Sequence, residues 1–186
     1  MLFEIVAQCA QAVGMMRILY VQSKLTFDKM QEVAPILSDY QLERGKPMPS
    51  LFHSRVQTRL TVLLDKLEPK YLCFSELSLA LNEWESVPDL SLYSKSDIDV
   101  LQDEAKVTRP PLCVIEILSA SQTLDSVVDK TQKYFERGVK SCWIVIPRLK
   151  CIYVFENATT YEVYREHQSV IDKQLGIELP LAEVFR

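Results

Sequence analysis

Apolar residues recur along the chain with two different periods. Val56, Leu60, Leu63, Leu64 and Leu67 fall on one stripe at helical spacing, with Arg55, Arg59 and Lys66 outside it, which predicts a helix over 54–68. Met30, Val33, Ala34 and Leu37 behave the same way over 27–37, behind Thr26 as a candidate N-cap. A third helix is predicted over 125–137, where Val127, Thr131, Tyr134 and Phe135 form the stripe and Gly138 supplies the stop. Strand-like runs occupy 71–81, 87–93, 112–118 and 141–146, the last ending at Pro147. A short strand over 40–44 closes at the turn Gly45-Lys46-Pro47, and 151–156 with 160–165 read as a terminal hairpin. The run 112–118 is apolar apart from Glu116, as expected of a central strand covered on both faces. The middle of the chain therefore reads α-β-β-β-α-β. A strand, a helix and another strand imply a parallel crossover within a mixed sheet, and the fold class is α/β (α+β) with a mixed central sheet.

Composition narrows the choice of functions. The chain has 186 residues, 48 % of them hydrophobic, with 21 basic against 25 acidic residues, a net charge of -4 and a pI of about 5.3. That is a chain able to bury a core without staples, and it is neither a disordered tail nor a strongly basic nucleic-acid coat. Taken alone, the acidic balance argues against a phosphate-bearing partner, because such binding draws on Lys and Arg. Four glycines and no Ser/Gly linker give no point of division, so a single domain is expected over 1–186, with 1–25 as a dispensable extension and the core over about 38–156. Met15 and Met16 offer alternative starts. No run approaches the roughly 20 apolar residues that span a bilayer. The first residues lack a basic region and carry Glu4, so a cytoplasmic protein with no membrane partner is expected. Cys9, Cys73, Cys113, Cys142 and Cys151 are odd in number and form no CxxC pair, which fits reduced, structural thiols.

Three polar residues stand where core formation does not require them. Asp89 follows Pro88 at the start of a strand, Glu116 interrupts an apolar run, and Lys130 lies at the edge of its helix stripe. A buried carboxylate is costly unless it neutralises, pairs or binds a metal. Two of them on neighbouring strands repel, and a divalent cation relieves the repulsion; oxygen ligands with open water positions favour Mg²⁺ or Mn²⁺. Such an ion with a nearby lysine suits phosphodiester hydrolysis. The plainer readings stand beside this one: Asp89 as a turn residue, Glu116 in an ion pair with Lys130 or Arg137, and Lys130 as a solvated helix residue. The cluster Asp97, Asp99, Asp103 and Glu104 lacks the glycine and glutamate placement of a calcium loop and reads as solvated. With only His53 and His167 there is no histidine-rich metal site, and no phosphate-binding glycine loop or GxSxG elbow is present.

The segment Arg109-Pro110-Pro111-Leu112-Cys113-Val114-Ile115-Glu116-Ile117-Leu118-Ser119-Ala120-Ser121 resembles the "PP-x-LVVEVLSPST" motif of the Uma family of restriction-endonuclease-like proteins, within the PD-(D/E)xK nuclease superfamily. Lys130, Tyr134 and Gly138 are similar to its "D-x(4)-K-x(3)-Y-x(3)-G" helix, and Cys142-Trp143-Ile144-Val145-Ile146-Pro147 to its "YWLVDP" strand. Val87-Pro88-Asp89-Leu90-Ser91 resembles "RPDVS", residues 40–47 resemble "YELIDGEL", and His53-Ser54-Arg55-Val56 resembles the "HS-x-I" opening the family's helix. The motifs follow in the family's order from about Thr26 to Phe155. Val87 stands in place of the usual arginine and Ala120 in place of proline, neither at the proposed chemistry.

The resemblance implies a restriction-endonuclease-like core and a Mg²⁺-dependent endonuclease, with Mn²⁺ as substitute, acting on nucleic acid, DNA above all. Asp89 and Glu116 are implied as metal ligands, joined by the Ile117 carbonyl and Glu43. The superfamily lysine would fall at Leu118, on the same strand face as Glu116, and Lys130 is its migrated substitute. His53 is an accessory residue or, equally, a helix-opening cap. A homodimer is expected, since nucleases of this architecture pair to cut two strands. The alternatives are a catalytically inactive nuclease-fold module that binds nucleic acid or protein, and a structural Asp–Glu–Lys cluster in a binding domain. Arg44, Lys46, Arg55 and Arg59 flank these motifs and are expected to border the cleft.

Overall fold

A computed structural model describes residues 49–186. The predicted helix over 27–37, the strand over 40–44, Glu43, Arg44 and Lys46 lie outside the described residues. Helix α1 (Leu51–Asp65) buries Val56, Leu60, Leu63 and Leu64, the stripe read from the sequence. It begins one turn before the expected 54, because Ser50 caps it, its Oγ accepting from the His53 N–H at 3.2 Å. His53 is therefore inside the first turn and is not the cap.

Strand β1 (Tyr71–Ser75) ends where Glu76 takes φ 52. The expected single strand over 71–81 is thus two, with β2 (Leu79–Leu81) pairing β3 (Trp84–Ser86) across Asn82 and Glu83. Both turn residues have positive φ, the conformation that matches the twist of a two-residue hairpin. Strand β4 (Leu90–Ser94) starts three residues later than the expected 87. Pro88 has no N–H for a ladder, so Val87-Pro88-Asp89 remain a connector.

Strands β5 (Cys113–Ile117) and β6 (Ser141–Ile146) are buried along their whole length and run parallel, joined by helix α2 (Leu124–Glu136), as the βαβ pattern required. Thr123 caps α2, and Gly138 ends it at φ 92. A 3₁₀ turn (Pro147–Leu149) leads to the hairpin of β7 (Cys151–Phe155) and β8 (Tyr161–Arg165). The six-stranded sheet has the order β1-β4-β5-β6-β7-β8, with every neighbouring pair antiparallel except β5 and β6.

The hairpin of β7 and β8 is not the end of the fold. A second hairpin, β9 (Ser169–Asp172) and β10 (Ile177–Pro180), and the short helix α3 (Leu181–Val184) follow it. Their residues Val170, Ile177, Leu179, Leu181 and Val184 join the α1 stripe over Ile115, Ile117, Trp143 and Val145. The opposite face, with Val114, Cys142, Ile144 and Tyr93, takes Val127 and Tyr134 of α2 and Leu79 and Leu81 of β2. Alternation along β5 thus points Ile115 and Ile117 at α1 and leaves Glu116 facing α2. No helix among the described residues is long and apolar enough to cross a membrane.

Among the described residues Asp172 is a further buried carboxylate, one with no sequence signal. It accepts from Ser141 Oγ at 2.6 Å and Trp143 Nε1 at 2.9 Å through Oδ2, and from the Leu175 N–H at 3.1 Å through Oδ1. These bonds tie the second hairpin to β6 and satisfy the indole that the core buries.

Candidate active site

Asp89, just before β4, Glu116 and Ile117 at the end of β5, Lys130 in the middle of α2 and His53 in the first turn of α1 converge. Asp89 is fixed at both backbone and side chain. Its carbonyl accepts from Gln57 Nε2 at 3.2 Å and from the Glu76 N–H at 3.1 Å. Its Oδ2 accepts from the Ile117 N–H at 2.7 Å, which holds the carboxylate beside the β5 residue that follows Glu116. Oδ1 lies 3.3 Å from His53 Nε2, and His53 Nδ1 lies 3.2 Å from Ser119 Oγ. A neutral imidazole with its proton on Nε2 satisfies both contacts, donating to Asp89 and accepting the serine hydroxyl. His53 is buried because its place in the first turn of α1 aims the ring at the sheet.

Glu116 Oε1 accepts from Lys130 Nζ and from Tyr134 OH, both at 2.8 Å. The donors are four residues apart on α2, so one face of one helix supplies both. Tyr134 OH also lies 2.6 Å from Ser86 Oγ; since the phenol donates to Glu116, the serine donates to the phenol. Trp84 stacks edge-on against the Tyr134 ring at 4.9 Å. Lys130 keeps 30 % of its side chain exposed while Glu116 keeps 6 %, so the pair reaches from the interior to the surface.

Burial above all pushes the Glu116 carboxyl up from its ordinary value. The Lys130 ammonium opposes that rise, the Asp89 charge adds to it, and the bonds from Lys130 and Tyr134 oppose it. Burial and then the Glu116 charge push the Tyr134 phenol far up, so it remains a donor. Lys130 selects Glu116, and Arg137 does not: its Nε donates to the Leu81 carbonyl at 3.1 Å and its guanidinium lies over Trp84.

Two carboxylates against one ammonium leave a local excess of negative charge in a buried, oxygen-rich setting. That donor set fits Mg²⁺, which takes one or two protein carboxylates and keeps several waters. Among the described residues no cluster of three or more His, Cys, Asp or Glu gathers to hold an ion, so these residues contribute two carboxylates and no third. Glu43 lies outside the described residues.

Of the cations expected at the cleft, Arg59 is committed elsewhere. Its Nε donates to the Glu183 carbonyl at 2.8 Å and its Nη2 meets Glu183 Oε2 at 2.9 Å, pinning α3 to α1. Arg55 is exposed. The acidic loop is solvated as expected, with Asp99 Oδ1 accepting from the Leu101 N–H and Glu104 paired with Arg109. Ser86 and Gln57 carry no sequence signal, and Ser119 stands in the strand motif with no role assigned to it there. Tyr134 does stand in the helix motif, but its place in the apolar stripe reads as core.

A crystal structure described as "a putative nuclease belonging to DUF820 from Anabaena variabilis ATCC 29413" is similar to this chain with a TM-score of 0.67. The likeness covers 75 % of this chain and 83 % of that one at 22 % identity, and is a likeness of fold. No curated protein sequence matches the chain. Residues 24–182 match the family described as "Uma2: Putative restriction endonuclease", and the chain belongs to that family.

Proposed function

We propose that the protein is a metal-dependent endonuclease that hydrolyses phosphodiester bonds of nucleic acid, DNA above all. The observation that supports this best is the pairing of Asp89 and Glu116 across the Ile117 N–H, with Lys130 on Glu116, in a member of this family. Asp89 and Glu116 would hold Mg²⁺ or Mn²⁺, with the Ile117 carbonyl and Glu43 as further ligands. When bound, the ion supplies an acidified water and charge neutralisation at the phosphoryl oxygen.

The chain's own groups divide the remaining work. Lys130, partly exposed and 2.8 Å from Glu116, orients the attacking water and offsets the negative charge that builds on the phosphate. It stands in for the strand lysine that Leu118 displaces. His53 holds the Asp89 carboxylate at a fixed angle, and Ser119 fixes the imidazole. Tyr134 keeps the Glu116 carboxylate turned toward the site. Pairing of two copies would place two such sites on opposite strands of a duplex.

Supercoiled plasmid with Mn²⁺ tests the reading. The wild type converts it to nicked product, while Asp89→Asn, Glu116→Gln and Lys130→Met each lose that activity and retain the wild-type circular dichroism. Undiminished nicking by both carboxylate variants points to a contaminant and removes the assignment.

A further inference from the structure

Beside the carboxylates lies a groove of about 530 Å³, lined by residues that include Phe52, Leu118, Ser119, Ile146, Pro147 and Arg148. Its floor is the chain leaving the C-terminal ends of the parallel strands β5 and β6, and one wall is the first turn of α1. Such strand ends are where open α/β sheets take their ligands, and the volume falls in the usual range for a small-molecule or nucleotide site.

Three features say what it takes. The lining is mainly apolar, yet Phe52 is 68 % exposed, an aromatic face presented to solvent where a stable core would cover it. Arg148 is exposed, and among the described residues it makes no ion pair, unlike Lys150, which is paired with Glu166. Ser119 belongs to both places: it lines the groove and bonds His53, which in turn contacts Asp89. The groove wall is therefore two side-chain contacts from a proposed metal ligand. A flat apolar face with a cation at its rim matches a base flanked by its phosphate. A paired duplex cannot offer that face, because its bases are stacked and their flat surfaces closed.

We infer that this groove receives an unstacked nucleobase of a single-stranded or locally unpaired substrate, with Phe52 as the stacking face and Arg148 on the adjoining phosphate. The inference deepens the nuclease reading above and rests on it for the class of ligand. It makes the substrate a loop, junction, damaged site or free strand.

Fluorescence anisotropy on the full chain in EDTA, with a short labelled oligonucleotide either single-stranded or closed as a perfect hairpin duplex, tests it. The wild type binds the single strand more tightly than the duplex. Phe52→Ala weakens the single strand by roughly tenfold and the duplex by less than about twofold, the size of one lost base stack. Phe52→Trp restores the affinity. Arg148→Ala lowers the slope of log affinity against log salt by about 0.7 on the single strand, one phosphate contact. Phe52 is exposed, so its loss leaves the core intact. Equal single-strand affinity of Phe52→Ala and wild type overturns the inference, as does a wild type that prefers the duplex. It is also overturned if sedimentation shows Phe52-dependent self-association with no change in oligonucleotide binding, for then the face belongs to a second copy. Plasmid nicking by the same proteins keeps the two readings apart. Nicking without a Phe52 effect on binding removes the groove alone, and Phe52-dependent binding without nicking removes the catalytic assignment alone.

Discussion

Tyr134→Phe is the sharpest probe of the Glu116 network, because it deletes one oxygen and leaves the ring. The phenol is fully buried between Ser86 Oγ at 2.6 Å and Glu116 Oε1 at 2.8 Å. A hydrogen bond to an ionised group contributes roughly 1.5–3 kcal/mol, and the buried Ser86 hydroxyl left without its partner adds about 1 kcal/mol. With Glu116 ionised the expected loss is therefore about 3 kcal/mol, a large share of the roughly 5–15 kcal/mol that holds a domain folded. The pH dependence follows from the direction of the Glu116 shift. Its folded pKa lies above the ordinary value, so between the two the native state holds the extra proton and stability falls as pH rises. Removing the phenol takes away one group that favours the carboxylate, which lifts the folded pKa further and deepens the loss above it. Below the ordinary carboxyl pKa the group is protonated in both states, and a neutral bond of about 1 kcal/mol is at stake beside the roughly 1 kcal/mol of the Ser86 hydroxyl, about 2 kcal/mol in all. Urea unfolding followed by circular dichroism at pH 7.5 and at pH 4 measures the difference directly. An equal loss at both pH values, or one under about 0.5 kcal/mol at pH 7.5, refutes the picture of a carboxylate held charged by Tyr134 and Lys130.

Other consequences are as specific. Glu116→Gln, which removes the buried charge and keeps the shape, unfolds at higher urea than wild type at pH 8 while losing nicking, and the advantage shrinks as pH falls toward the ordinary carboxyl range. Asp172→Ala leaves Ser141, Trp143 and the Leu175 N–H without their acceptor and costs about 3–5 kcal/mol, lowering the thermal midpoint without touching the residues of the proposed site. Burial pushes the thiols of Cys113, Cys142 and Cys151 up and closes them to reagents, so these three react with a thiol reagent at pH 8 only once urea unfolds the chain. Fast labelling of any of them in the native state, read by mass spectrometry, contradicts the packing described.

Much of the framework was legible in the residues themselves. The α1 stripe, the uninterrupted runs of β5 and β6 and the stop at Gly138 carry local signals strong enough to give a βαβ unit and a mixed sheet. Glu116 stood out because nothing apolar about its strand required it, and Asp89 and Lys130 followed from spacing and motif. Local signals misled where the choice was between neighbours of similar propensity. Ser50 and Ser54 are both competent caps, and only packing of the α1 stripe on the sheet selects the first, which moves His53 from the helix end into the buried turn. The run through Glu76 reads as one strand until the reversal at positive φ opens the hairpin that brings Ser86 to Tyr134.

What the sequence determined by itself was periodicity: which residues are apolar, at what spacing, and which charged groups sit among them. Pairings across the chain were decided by the tertiary structure. Glu116 takes Lys130 and not Arg137 because β5 turns that side chain toward α2 at the level of one residue and not the other. Arg59 leaves the cleft because α3, 124 residues away, offers a carboxylate and a carbonyl together. Asp172 is buried because a hairpin with no strong local signal folds back over Trp143. Such contacts join residues far apart in the chain. Their free energy depends on burial and on distance in space, and neither is a property of any short stretch of sequence.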